Sequence, residues 1–178
     1  MGPGDIYNPT RFEHVHRRQA IRVWAVLATI TALWLTAIVA PPVLAAASAH
    51  EASAGVLGFF SYACHQLPER SLHFLGHQLA VCSRCFGVYF GLLAGLLSYP
   101  VWRRMDSIDP LPRVWLIAAA VPMAVDWSLT VFGIWENTHL SRFLTGSILG
   151  IACIIYIIPA AVEIVRYIRP VPSPESVT

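Results

Sequence analysis

Long apolar stretches broken by short polar clusters dominate this chain, and four of them are long enough to cross a bilayer: residues 21–44, 85–101, 114–134 and 140–165. A membrane helix needs roughly 17–25 apolar residues, so the run over 85–101 is at the short end. The pattern predicts an all-α, polytopic membrane protein, a bundle of four transmembrane helices with a Cys/His-rich segment over 46–84 between the first two. A tail over 1–20, one transmembrane domain over 21–169 and a proline- and serine-rich disordered tail over 170–178 complete the expected organisation. The first run has a rival reading. Arginines, an apolar core and Ala46-Ala47-Ser48-Ala49 before His50 resemble a signal peptide with its cleavage site. The apolar run exceeds the roughly 7–15 residues of a signal core, which favours a retained helix.

Composition sharpens the class. Apolar residues make up 56% of the chain and charged ones 12%, about half the roughly 25% charged residues of a soluble domain. Every basic residue is arginine, and no basic patch is interleaved with aromatics, which argues against a nucleic-acid partner. The arginines also orient the bundle. Arg11, Arg17, Arg18 and Arg22 precede the first run, Arg103, Arg104 and Arg113 separate the second from the third, and Arg166 and Arg169 follow the fourth. Only Arg70, Arg84 and Arg142 belong to the opposite side. The positive-inside rule therefore puts both termini in the cytoplasm and the Cys/His segment on the outer face of the cell (inner) membrane. The six tryptophans mostly fall near span ends, as interface anchors do.

With that orientation, the unusual polar residues of the spans fall at one depth. Cys85 and Tyr89 start the second span, Asp126 is about two turns below the outer end of the third, and Arg142 and Thr145 open the fourth. A carboxylate inside a span is costly and faces a partner or a wet cavity. Asp126 is thus either half of a structural Asp126–Arg142 pair or a catalytic carboxylate. Glu136, Asn137 and His139 read as residues of a short outer loop. Gly87, Gly91 and Gly95, with Gly146 and Gly150, recur every four residues and predict close packing of the second span on the fourth. That packing brings Cys85 towards Arg142. Pro122 is expected to kink the third span one turn before Asp126.

The segment before the second span carries Cys64, His65, His73, His77, Cys82 and Cys85. Cys153 is deep in the fourth run, out of reach, so three outer cysteines remain. An odd number leaves one thiol over in a purely structural disulfide set. Three thiolates and one imidazole would use them all, as zinc sites do: Cys64, Cys82 and Cys85 with His77 or His65. Against this, an exterior compartment oxidises thiols, and Cys82-x-x-Cys85 with Cys64 as partner also suits a thiol–disulfide or quinone-linked membrane oxidoreductase. Gln66 and Gln78 are expected in a tight turn or behind a metal-bound imidazole, and His73 reads as an interfacial histidine.

Taken together, Cys64-His65-Gln66-Leu67-Pro68-Glu69-Arg70-Ser71, Gly76-His77-Gln78, Cys82-x-Arg84-Cys85-x-Gly87-x-Tyr89-x-Gly91, Pro122-x-x-x-Asp126 and Asn137-x-x-x-x-Arg142-x-x-Thr145-Gly146-x-x-x-Gly150 resemble a family of small prokaryotic membrane proteins, domain of unknown function 2085. The resemblance implies membrane residence and supplies no reaction. The residues themselves suggest a zinc site at the outer face, with Asp126 as base or positioning carboxylate and Arg142 meeting an anionic headgroup. Membrane lipid or a lipid-linked substrate follows from the depth of the site. A non-catalytic subunit or assembly factor, using its glycine face for a helix-packing partner or a second copy, is the remaining alternative.

Overall fold

The computed structural model describes residues 9–103 and 111–168, with side chains from residue 17 onward. The expectations for residues 1–8 and 170–178 lie outside the described residues. The described residues form five α-helices: α1 (Pro9–Ala46), α2 (His50–Phe60), α3 (Ser83–Trp102), α4 (Val114–Val131) and α5 (His139–Ile168). Four of them, α1 and α3 to α5, carry apolar stretches long enough to span a membrane, as the hydrophobic pattern predicts. Residues 9–20 continue α1 as helix.

The expected loop between the first two spans is a small folded unit that the pattern did not predict. After a reversal at Ser48, which takes a left-handed φ of 63°, α2 packs back along α1. Trp34 stacks edge-on to Phe60 at 5.0 Å, and the Ser53 hydroxyl donates to the Pro41 carbonyl at 3.0 Å. A 3-10 turn (Pro68–Arg70) then leads into an antiparallel hairpin, β1 (Ser71–Phe74) and β2 (His77–Cys82). Leu79, Ala80 and Val81 of β2 are buried with Leu35 and Ile38 of α1, Phe60 and Cys64 in one apolar cluster. An apolar run of three consecutive residues is buried on both faces here, between α1 and the start of the bundle. That is why β2 carries no alternation to betray it.

The bundle itself is set by glycine. α3 and α5 run parallel, with Gly87 against the Phe143 backbone and Gly91 against that of Ser147. In return Gly146 meets the Arg84 carbonyl and Gly150 the Val88 carbonyl. The Ser147 hydroxyl donates to the Gly87 carbonyl across this contact at 3.1 Å. Removing side chains lets two helix backbones touch where lipid offers no hydrophobic drive to association. α1 runs antiparallel to α3, and Trp24 Nε1 donates to the Leu96 carbonyl at 2.7 Å. Pro100, four residues on, has no N–H to give that carbonyl, so the indole supplies the missing donor. Trp24 and Trp34 are therefore packing and bonding groups of the bundle rather than interface anchors.

α4 ends at Val131, three residues earlier than the apolar run suggests. Gly133 takes φ 67°, and Ile134 and Gly133 donate their N–H groups to the Leu129 and Thr130 carbonyls, the hydrogen-bond pattern of a glycine-closed helix end. The chain thus turns early, and Asn137 is swung back against α4.

Candidate metal centre and its polar network

Three pieces of local structure bring Cys64, Cys82 and Cys85 together. Cys64 follows the end of α2, where its N–H still donates to the Phe60 carbonyl. Gln66 fixes this loop: in a left-handed conformation (φ 51°), its side-chain amide donates to the Leu57 carbonyl at 2.8 Å and the Ala80 carbonyl at 2.7 Å. Gln78 donates to the Gln66 carbonyl in turn, at 3.0 Å. The loop bearing Cys64 is thereby stitched to the strand that ends in Cys82. Cys82 is extended and caps α3, and Cys85 is one position short of a helical turn further on, on the same side. The three sulfurs lie within 4.8 Å of one another. Sulfurs sharing one zinc at roughly 2.3 Å would stand about 4 Å apart, so the donor set fits a single soft ion. No disulfide links them.

The environment favours a thiolate at Cys64. The Cys82 N–H donates to Cys64 Sγ at 3.3 Å. Hydrogen bonds from the Cys82 and Cys85 thiols, with that backbone donor, hold the Cys64 thiol far below the ordinary thiol range. The positive end of α3, with no acidic residue in its first turn, acts in the same direction.

Ser83 locks the cluster to the fourth span. Its buried hydroxyl donates to the Arg70 carbonyl at 3.0 Å and meets His139 Nδ1 at 2.7 Å. With the hydroxyl proton on the carbonyl, the imidazole N–H is the donor of the second bond. One serine therefore ties the 3-10 turn, the start of α3 and the start of α5.

Beside it runs a chain of four polar side chains from three helices and the last connection. Arg84 Nη2 donates to Asp126 Oδ2 at 2.6 Å, with the two side chains 23% and 10% exposed. Asn137 Nδ2 donates to the same oxygen at 2.7 Å, and Arg142 Nε donates to Asn137 Oδ1 at 2.6 Å. The expected Asp126–Arg142 ion pair is thus replaced: the partner of Asp126 is Arg84, and Arg142 is reached through Asn137. Asn137, read from the sequence as a solvated loop residue, is 7% exposed. Arg84 was missed because it follows a cysteine in the outer segment. Its position one residue into α3, against five residues from the end of α4 for Asp126 and three into α5 for Arg142, places all three within roughly 8 Å of the same end of the bundle.

A cavity of about 440 Å³ opens between the two groups, lined by the three cysteines, His65, Arg70, Arg84, Asn137 and Arg142. His65 faces this cavity but stands outside the sulfur cluster. His77 opens the strand that Cys82 closes, about 16 Å along it. Cys153 is a free thiol well down α5 and takes no part.

A helical bundle with four span-length apolar helices, a three-thiol cluster suited to a metal ion and a neighbouring buried Arg–Asp pair defines a polytopic membrane protein with a candidate metal centre. Its fold is consistent with residence in the inner membrane. The chain belongs to the predicted membrane protein family DUF2085, whose model matches residues 64–156. The match begins at Cys64 and ends within α5, so it takes in the sulfur cluster and the polar network. An uncharacterised protein of Methanocaldococcus jannaschii is 42% identical over 107 residues, covering 60% of this chain and 68% of that one. An uncharacterised protein of Methanothermobacter thermautotrophicus is 33% identical over 93 residues, covering 52% of this chain and 81% of its own. No solved structure matches.

Proposed function

We propose that the chain is a membrane metalloenzyme acting on a lipid or lipid-linked substrate, with zinc held by Cys64, Cys82 and Cys85. The observation that carries this reading is that three sulfurs close enough to share one ion line a cavity walled by arginines. Three protein ligands and an open fourth position are the pattern of catalytic zinc, whereas structural sites are closed by four. Zinc held there would supply a Lewis acid at the cavity wall. The rest falls to this chain. Gln66 and Gln78 hold the Cys64 loop, Asp126 is a positioning carboxylate for Arg84 and Asn137, and Arg142 meets substrate. His65 borders the open side, where it accepts or returns a proton. His77, at the hairpin tip, is left to contact lipid headgroups or solvent. The arginine distribution supports both termini in the cytoplasm and this site at the outer face.

Metal analysis of the full chain purified in detergent tests the reading: about one zinc per chain in the wild type, lost in Cys82→Ser and retained in Cys153→Ser. Metal well below stoichiometry, or unaffected by Cys82→Ser, removes it.

One observation favours a second reading, thiol–disulfide exchange. Cys82 and Cys85 form a Cys-x-x-Cys pair at the cap and first turn of a helix, with Cys64 within reach as a third thiol. Mass tagging of free thiols separates the two: cycling of Cys82 and Cys85 between reduced and oxidised forms supports exchange, and permanently reduced, metal-protected thiols support the metalloenzyme.

A further inference from the structure

We propose that the cavity beside the sulfur cluster is a phosphate site, built from Arg142, Arg84 and Arg70. Its role as a substrate subsite rests on the metalloenzyme reading above; its anion chemistry rests on its own donors. Arg142 gives its Nε to Asn137, which fixes the plane of the guanidinium, and the residue lines the cavity. Arg84 gives Nη2 to Asp126 and lines the same cavity. Arg70 stands at the rim, its backbone held by the Ser83 hydroxyl and its side chain only loosely near Glu69 at 3.9 Å, both well exposed.

Charge points the same way. Among the described residues the cavity wall contains three guanidiniums and no carboxylate, and they outnumber the one thiolate, Cys64, that the sulfur cluster sets against them. Asp126, behind the wall, offsets Arg84 alone. Positive charge gathered at the end of a membrane bundle is costly unless matched. The Asp126–Asn137–Arg142 chain then has a clear purpose: it orients a cation that the carboxylate does not itself neutralise. Guanidiniums reaching in from α3, α5 and the 3-10 turn suit a tetrahedral oxyanion, which presents oxygens in several directions, better than a planar carboxylate. Arginine binds phosphate oxygens through its two-pronged donor edge. The phosphate belongs either to a lipid headgroup or to a free small molecule; the same donors serve both.

Thermal unfolding of the detergent-purified full chain, at constant ionic strength, tests this with two probes: inorganic phosphate and dihexanoyl phosphatidic acid, with dihexanoyl glycerol as the uncharged control. A ligand of the folded state raises the midpoint as its concentration rises. The wild type is expected to respond to at least one phosphate probe and not to the control. In Arg142→Gln the response disappears, and in Arg142→Lys, which keeps charge but loses the fork, it needs about tenfold more probe. Should Arg142→Gln not fold, Arg142→Lys carries the comparison. Phosphatidic acid acting at lower concentration than phosphate identifies a lipid headgroup, and equal potency identifies free phosphate. No response in the wild type, or equal responses in all three proteins, overturns the proposal. Zinc measured on the same samples keeps the readings apart: zinc-free protein that still responds sinks the metalloenzyme and leaves the phosphate site, and zinc-loaded protein with no response does the reverse.

Discussion

Removing Asp126 exposes how much of the bundle depends on one carboxylate oxygen. Asp126 Oδ2 accepts from Arg84 Nη2 and from Asn137 Nδ2. In Asp126→Leu both donors lose their acceptor. Breaking a buried ion pair by removing one partner costs about 3–5 kcal/mol, because the other charge stays behind. Arg84 keeps 23% of its side chain exposed and borders the cavity, so part of its charge finds solvent and the lower end, about 3 kcal/mol, applies. Arg84→Met leaves Asp126 with neutral partners, Asn137 and Ser141, and the carboxyl escapes by taking a proton, for about 2 kcal/mol. Replacing both with apolar groups of similar size removes the stranded charges. The double variant Arg84→Met/Asp126→Leu is therefore expected to lie within about 2 kcal/mol of wild type, far less than the sum of the singles. Reversible unfolding in mixed dodecylmaltoside and SDS micelles, followed by far-UV circular dichroism, gives the four free energies of the cycle. Singles that add to the double within about 0.5 kcal/mol would show that the pair carries no coupling, and the account of how α4 is held to α3 would fall with it.

Three further outcomes follow from the packing and the cluster. Gly91→Leu puts a side chain where the Ser147 backbone lies, its Cα 2.7 Å from the new Cβ position. α3 and α5 must part by an ångström or so and the Ser147–Gly87 bond is lost, for an expected loss of at least about 2 kcal/mol in the same unfolding assay; a neutral result would place the helices further apart than described. Gln66→Ala removes two bonds to buried carbonyls, worth about 1–3 kcal/mol, and loosens the Cys64 loop, so zinc retention against a chelator should fall while Cys153 reactivity is unchanged. The lowered pKa of Cys64 predicts a pH profile. In zinc-free protein Cys64 stays thiolate as pH falls from 8 to 6, so its alkylation by iodoacetamide should hold nearly level. An ordinary thiol, with a pKa of about 8.5, would slow about tenfold per pH unit over that range. Mass spectrometry of peptides bearing Cys64 reads the difference, and an ordinary profile would mean that the neighbouring thiols do not share their protons with it.

The membrane class, the four spans, the glycine contact between α3 and α5 and the meeting of Cys64, Cys82 and Cys85 at the level of Asp126 were all legible in the residues. Each rests on a one-dimensional regularity: apolar run length, a four-residue glycine repeat, a Cys-x-x-Cys at the start of a helix. The hairpin was not legible. Leu79-Ala80-Val81 is a short apolar run buried on both sides, with no period to separate it from loop or helix. Nor was the true partner of Asp126, since Arg84 and Arg142 are both arginines at the start of a helix and differ only in which way the helix is turned.

What the chain order settled alone is the solvent each segment needs, because the bilayer leaves backbone polar groups no alternative to helix, and run length then fixes how many helices cross. What waited for tertiary structure is which polar groups touch. Gly133 ends α4 early and folds Asn137 back between Asp126 and Arg142, while the contact of Gly87 with α5 sets the rotation of α3 that aims Arg84 at the carboxylate. Directional bonds of under 3 Å depend on rotations of that kind, and no spacing along the chain encodes them.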